Sequence, residues 1–122
     1  MITLKIANDF SRHPAGRFVS DGPYSGQLFR EHVLEQIIRN GERTIIDLDG
    51  ARGYGSSFLE EAFGGLARKH PLSLINSLIT FKSRDQNLID RIELYMKNAN
   101  NTTTKKKSLL FGGGLDVRSV TR

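Results

Sequence analysis

An α/β fold, in which helices pack against a mixed β-sheet, is predicted by three observations on this 122-residue sequence. Segments rich in β-branched residues alternate along the chain with segments whose apolar residues recur at helical spacing. Glycine, proline, asparagine or serine separates most of these segments, as is typical of turns. The length fits a single domain with one core. Alternating strands and helices of this kind form a sheet that helices cover.

The first part of the chain is predicted to contain three strands and one long helix. Residues 2–6 alternate apolar and polar positions, and residues 16–20 are predicted as a short second strand that could form a hairpin with the first. Ser25 is a candidate N-cap for an amphipathic helix that ends near Gly41. Residues 44–48 form an apolar run, rich in β-branched residues and broken by Asp47, as expected for a central strand buried on both faces.

The second part repeats this alternation after a glycine-rich turn. Ser57 and Glu60 have the spacing of a capping box, which predicts a second helix. Residues 77–81 are predicted to form a further strand. Ser83 and Gln86 form another candidate capping box, before the apolar stripe of a third helix.

The basic charge of the chain is concentrated near its C-terminus. The net charge is +5, and residues 105–107 are three consecutive lysines. We therefore expect a domain over residues 1–99 and a basic, glycine-containing, flexible tail over residues 100–122. The nearly neutral body lacks interleaved basic and aromatic residues, which argues against nucleic-acid binding as the main function.

Several other functional classes are disfavoured by the composition. The chain has no cysteine, which removes thiol chemistry and fits a cytoplasmic protein. No apolar run approaches the roughly 20 residues that cross a bilayer, so we expect no membrane contact. His13, His32 and His70 lack ligand-like spacing, so neither a metal nor a cofactor is predicted. Serine catalysis would need His13 or His32 to approach a serine in the folded chain, and we predict a non-catalytic protein.

The turn from Gly50 to Gly55 and the helix after it form the candidate functional site. Ser56 and Ser57 lie at the predicted helix start, where unpaired amides favour a hydroxyl and, more strongly, a phosphate. One interpretation is structural, with the glycines forming the turn and the serines capping the helix. A second is a nucleotide-binding turn, although the glycines lack the dinucleotide order and no P-loop lysine follows. The third is a regulatory phosphorylation site.

Residues around the serine pair are candidate contacts for a protein partner. These candidates are Asp49, Arg52, Tyr54 and Glu60. Tyr54, at the tip of the turn, could anchor a partner or pack locally. The acidic residues would repel a phosphate on a neighbouring serine, so phosphorylation could change this surface without unfolding the domain. Ser57 is better explained as the cap, which leaves Ser56 as the first candidate acceptor.

Other charged residues and glycines receive structural interpretations. Arg30 is interpreted as part of a solvated helix face. Glu60 and Glu61 are adjacent on a helix and point about 100° apart, so they are not paired catalytic carboxylates. Gly64 and Gly65 interrupt the second helix at a cost of about 1 kcal/mol each relative to alanine. Close approach of the helix to the sheet or to a partner would offset that cost.

Several stretches of the chain resemble known proteins. IIDLDG with the serine pair after it is similar to the strand, turn and helix of STAS domains, the fold of bacterial anti-sigma factor antagonists. More closely, GRFVSDGPYSGQLFRE and GYGSSFLEEAFGGL resemble a STAS-like family of bacterial proteins of unknown function, over about residues 1–98. The resemblance implies a mixed sheet of four to five strands with helices mainly on one side.

The resemblance also implies a regulatory protein-interaction module. Its expected partner is a histidine-kinase-like ATPase or an anti-sigma factor, and a homodimer is a further candidate assembly. In the antagonists the first serine of the pair accepts the phosphate, which points to Ser56. Gly55 replaces the acid that normally precedes the pair, and Phe58 replaces the glycine that follows it. A constitutive binding adaptor that has lost the switch is therefore the alternative.

Overall fold

The computed structural model describes the backbone of residues 1–111 and the side chains of residues 1–99. Its strands are β1 (Ile2–Lys5), β2 (Thr44–Asp47) and β3 (Ile79–Lys82). They form one sheet in the order β1-β2-β3, and both pairings are parallel. The predicted α/β class is confirmed. Within the described residues the sheet has three parallel strands, rather than the four to five of a mixed sheet.

Helices separate and follow these strands. They are α1 (Ile6–Asp9), α2 (residues 26–40), α3 (residues 56–69), α4 (Leu72–Leu78) and α5 (Gln86–Phe111). A π-helical segment interrupts α2 at Arg30–Leu34 and α3 at Glu60–Gly64. None of the helices in the described part of the chain has the length and apolar character needed to span a membrane.

The two faces of the sheet differ in burial. The helical side carries Leu4, Ile46 and Phe81 in one row, and the other side carries Thr3, Ile45 and Thr80. Ile46 is fully buried, whereas Ile45 is half-buried and both threonines are exposed. β2 is the central strand, as predicted, but the helices bury only one of its faces fully.

Helices α2 and α3 pack so closely that their backbones approach each other at Gly26. The Phe29 ring of α2 lies between two rings of α3, with its centroid 5.9 Å from Phe58 and 6.0 Å from Phe63. Gly26 makes this approach possible, because a Cβ atom there would lie 2.5 Å from the carbonyl oxygen of Phe58. The same pair of helices carries the charged groups of the candidate site.

The predicted boundaries of α2 are confirmed by its caps. The Ser25 hydroxyl accepts a hydrogen bond of 3.1 Å from the Leu28 amide at the helix start. At the other end Gly41 has a φ of 65°, and its amide donates to the Ile37 and Ile38 carbonyls.

The strand predicted at residues 16–20 is wrong. The carboxylate of Asp21 accepts hydrogen bonds from the amides of Arg17 at 3.1 Å and Phe18 at 2.8 Å. These bonds turn the chain into a 3-10 turn, Val19–Asp21, so the expected hairpin with β1 does not form.

Two other predicted boundaries also differ. The third strand begins at Ile79 rather than at Ser77, because Ser77 lies in the preceding helix α4, which the sequence analysis missed. The predicted Ser83 and Gln86 capping box is wrong, since Asp85 accepts from the Leu88 amide at 3.3 Å and caps α5 instead.

The last helix crosses the predicted domain boundary. The α5 backbone is helical from Gln86 to Phe111, so no break in secondary structure falls between residues 99 and 100. The prediction of a flexible tail extends to residues 112–122, which lie outside the described part of the chain.

Candidate functional site

The serine pair occupies the first two positions of α3. Gly55 is the N-cap in an extended conformation, and its carbonyl accepts from the Leu59 amide at 3.1 Å. Ser56 and Ser57 are exposed, and neither hydroxyl hydrogen-bonds with the described residues. The predicted capping box between Ser57 and Glu60 is therefore wrong. Both hydroxyls are left accessible at the surface.

The start of α3 is also a favourable place for negative charge. The first amides of a helix have no carbonyl partner within it, and the helix dipole adds partial positive charge there. α3 runs without a break over residues 56–69, as two α-helical segments with a π-helical segment between them. A phosphate on either serine would therefore meet unpaired amides.

An ion cluster lies next to the serine pair. Its members are Arg17, Arg30, Glu60, Glu61 and Arg68. One carboxylate oxygen of Glu60 lies 2.5 Å from Arg17, and the other lies 2.6 Å from Arg68. Glu61 lies 2.8 Å from Arg30 and 3.3 Å from Arg17. The two adjacent glutamates, which diverge along the helix, are thus connected through the guanidinium of Arg17.

Arg30 and Glu61 are the buried members of the ion cluster. Arg30 is the less exposed of the two. Its residue exposure is 6 %, and its Nε donates to the carbonyl oxygen of Glu61 at 3.2 Å in addition to the carboxylate contact. The interpretation of Arg30 as part of a solvated face is therefore wrong. Its partner lies 31 positions away, so no local pattern in the sequence indicates the pair.

The glycine pair of α3 makes room for the ion cluster. A Cβ atom on Gly65 would lie 2.7 Å from Nε of Arg30, and one on Gly64 would lie 2.8 Å from Oε2 of Glu60. Glycine destabilises a helix relative to alanine, and here that cost is offset because charged side chains pack against the two glycines. The π-helical segments of α2 and α3 begin at Arg30 and Glu60, a kind of distortion that is frequent at functional sites.

Hydrogen bonds within the ion cluster favour the charged forms of Glu60 and Arg17. The hydrogen bond from Arg68 lowers the pKa of Glu60, with a further contribution from Arg17, and outweighs the opposite effect of partial burial. The hydrogen bond to Glu60 raises the pKa of Arg17. Glu60 was predicted to contact a partner, but in the structure each of its carboxylate oxygens pairs with an arginine of the same chain.

Two of the other predicted contact residues hold the turn in place. The carboxylate of Asp49 accepts from the Ser83 hydroxyl at 3.0 Å and from the Arg84 amide at 3.1 Å, which ties the loops after β2 and β3 together. The Tyr54 hydroxyl donates to the Leu48 carbonyl at 2.7 Å. Burial raises the pKa of Tyr54, and the nearby charges of Asp47 and Asp49 add to that effect. Tyr54 therefore packs locally as a neutral phenol.

Arg52 is the predicted contact residue that stays exposed. Its backbone amide donates to the Arg12 carbonyl at 2.9 Å, which places it beside the segment after α1. Arg52 thus lies at the same edge of the sheet as the end of β1.

An exposed apolar loop, missed by the sequence analysis, precedes α2. Phe18, Val19 and Tyr24 have residue exposures of 49 %, 54 % and 43 %. Arg17 of the ion cluster comes directly before Phe18 and Val19, and Gln27 accepts from the Val19 amide at 3.0 Å through its side chain. The signal available in the sequence was the cluster of apolar residues inside a segment rich in turn formers.

Within the described residues no histidine ring forms a hydrogen bond with a serine hydroxyl. The His70 imidazole lies 2.8 Å from Glu35, and neither His13 nor His32 hydrogen-bonds a serine hydroxyl through its ring. Over the same residues no group of three potential ligands is placed to hold a metal ion.

These features define a small α/β domain with a serine-bearing helix start after its central strand. A family model described as a STAS-like domain of unknown function (DUF4325) matches residues 25–88, which is just over half of the chain. The chain belongs to this STAS-like family. No curated protein and no solved structure matches it significantly. The matched segment includes the serine pair and both glutamates of the ion cluster, whereas Arg17 and the exposed apolar loop up to Tyr24 precede it.

Proposed function

We propose that this domain is a non-catalytic regulatory module that binds a protein partner and is switched by phosphorylation of the serine pair. The observation that carries the proposal is the position of two accessible hydroxyls, unbonded within the described residues, at the start of a helix and beside an ion cluster. The resemblance to anti-sigma factor antagonists supports the same role and favours Ser56 as acceptor.

The two serines offer a phosphate different surroundings. On Ser56 it could bond to unpaired amides of the first turn. Ser57 lies three and four positions before Glu60 and Glu61, so the three side chains share one face of the helix. A phosphate on Ser57, with nearly two negative charges, would compete with both glutamates for the guanidinium of Arg17.

Competition between a phosphate and the two glutamates for Arg17 would also affect the exposed apolar loop. Arg17 is joined to α3 through Glu60 and Glu61, and the next two residues are the exposed Phe18 and Val19. A shift of Arg17 toward a phosphate would move the exposed apolar loop relative to α3. The partner we propose is a histidine-kinase-like ATPase or an anti-sigma factor that buries this loop.

The proposal is tested by co-expression with the ATPase or kinase encoded beside the gene. Intact mass and peptide mapping should find one phosphate on Ser56 or Ser57, and the Ser56→Ala, Ser57→Ala double variant should remain unmodified. Ser73→Ala is the matched control, because Ser73 is also exposed and is also the second residue of a helix. Absence of both a phosphate and a complex would refute the regulatory module.

A constitutive binding adaptor is the second candidate function. It is favoured by Gly55 and Phe58, which replace the residues that flank the acceptor in antagonists, and by the exposure of the apolar loop. An adaptor would form a complex that survives Ser56→Ala and Ser57→Ala but is lost when Phe18 and Val19 are changed to serine.

A further inference from the structure

A basic groove lies beside the turn that precedes α3. Arg12, His13, Gly50, Ala51 and Arg52 line it, and its volume is about 290 Å³. The first two residues belong to the segment that follows β1 and α1, and the other three belong to the turn that follows β2. β1 and β2 are adjacent and parallel, so the groove lies at the carboxyl edge of the sheet. Open α/β sheets commonly bind their ligands at this edge.

The two walls of the basic groove are fixed to each other. The Arg52 amide donates to the Arg12 carbonyl at 2.9 Å. Gly50 adopts a φ of 96°, and a Cβ atom on it would lie 3.2 Å from the Cβ of Ala7, so this turn lies against α1. The His13 amide donates to the hydroxyl of Ser11, which is 9 % exposed. The backbone of the groove is therefore formed before any ligand arrives.

The groove carries positive charge that the described residues do not neutralise. No carboxylate in residues 1–99 lies within ion-pair distance of the side chains of Arg12, His13 or Arg52. The exposed side chains of Arg12, His13 and Arg52 line one polar depression. The planar guanidinium group of an arginine can donate two parallel hydrogen bonds to phosphate oxygens.

The geometry points to a binding site for the phosphate or pyrophosphate group of a small phosphorylated molecule, and we propose that this is the ligand class of the basic groove. Its size favours one or two phosphate groups. A nucleic-acid strand would need a longer basic track with stacking aromatic residues, which the groove walls lack. The proposal is independent of the serine switch, because the groove residues and the serine pair are separate side chains.

The test is a titration of the full 122-residue chain, labelled with ¹⁵N, at constant ionic strength. The probes are pyrophosphate, inorganic phosphate, a nucleoside diphosphate and a single-stranded oligonucleotide. Pyrophosphate should cause saturable shifts of the amides of residues 11–13 and 50–52. The Arg12→Ala, Arg52→Ala double variant should weaken binding at least about tenfold, because two charge-assisted contacts are removed. A stronger response to the nucleoside diphosphate would identify a nucleotide as the phosphorylated molecule.

Arg91→Ala is the matched control, since Arg91 is exposed on α5 and has no ion pair in the described residues. It should bind pyrophosphate as the wild type does, and so should the Ser56→Ala, Ser57→Ala variant. The proposal is overturned if no probe saturates below about 10 mM, or if Arg91→Ala weakens binding as much as the groove variant. Tighter binding of the oligonucleotide through the same residues would overturn it in favour of nucleic acid.

Discussion

The ion cluster and the basic groove both depend on arginine, but they use it in opposite ways. In the ion cluster Arg17, Arg30 and Arg68 face two glutamates, and the Arg30 contact with Glu61 is buried. In the groove Arg12 and Arg52 are exposed and lack a carboxylate partner among the described residues. Neutralised arginines thus connect segments of the fold, whereas unpaired ones are available to a ligand.

The ion cluster also joins the two stretches that resemble the STAS-like family. GRFVSDGPYSGQLFRE supplies Arg17 and Arg30, and GYGSSFLEEAFGGL supplies Glu60 and Glu61 together with the glycines that make room for them. The two stretches are the two halves of one charged contact.

The largest difference between the two regions should be seen in stability. Arg30→Met leaves the Glu61 carboxylate without its buried partner and should lower the free energy of unfolding by about 3 kcal/mol. Arg52→Met removes the same charge from an exposed, unpaired position and should change it by less than about 0.5 kcal/mol. Urea denaturation of the two variants measures the contrast. Equal losses would show that burial and pairing of the arginine are not what distinguishes the regions.

A smaller effect should separate the two glycines that border the ion cluster. Gly65→Ala forces the new methyl group against the buried Arg30 and should cost about 1–2 kcal/mol, as overpacking does. Gly64→Ala meets the carboxylate of Glu60 at 2.8 Å and Nη1 of Arg68 at 3.6 Å. Both side chains are partly exposed and can shift more easily than the buried Arg30, so a gain of up to about 1 kcal/mol in helix propensity should prevail. Thermal unfolding of both variants tests this order. A loss at Gly64 as large as that at Gly65 would contradict it.

The smallest effect should appear in the pH dependence of the partly exposed side of the ion cluster. Folding lowers the pKa of Glu60, so its contribution is present above the unfolded value near about 4.3 and is lost as the pH falls through the folded value. Glu60→Gln should therefore lose less stability than the wild type on acidification, by under about 1 kcal/mol because the pair is partly solvated. Urea midpoints measured from neutral pH to about pH 3 provide the comparison. Parallel curves for the two proteins would contradict a paired Glu60.

The features that the sequence revealed are those with local causes. The run from Thr44 identified β2, Ser25 and Gly41 marked the ends of α2, and the glycine turn located the helix start with the serine pair. Each of these depends on neighbouring residues. The exact cap of α3 was missed because Gly55 is the N-cap, two residues earlier than the Ser57 and Glu60 spacing suggested.

The features that were missed depend on contacts between distant residues. Residues 16–20 have the composition of a strand, but the Asp21 carboxylate captures two of their amides. Arg30 is buried only because α3 brings Glu61 to it, with Gly65 making the space. The basic groove likewise forms only when the turn after β2 meets the segment after α1.

The most direct test of the switch is to place a phosphoserine at residue 57, at residue 56 or, as a control, at residue 73 of the full chain. NMR spectra would then follow the side-chain Nε of Arg17 and the amides of Phe18 and Val19. We expect phosphoserine at 57 to shift all three signals, phosphoserine at 56 to shift them less, and phosphoserine at 73 to leave them unchanged. Signals that stay the same with phosphoserine at both 56 and 57 would contradict a switch that acts through the ion cluster.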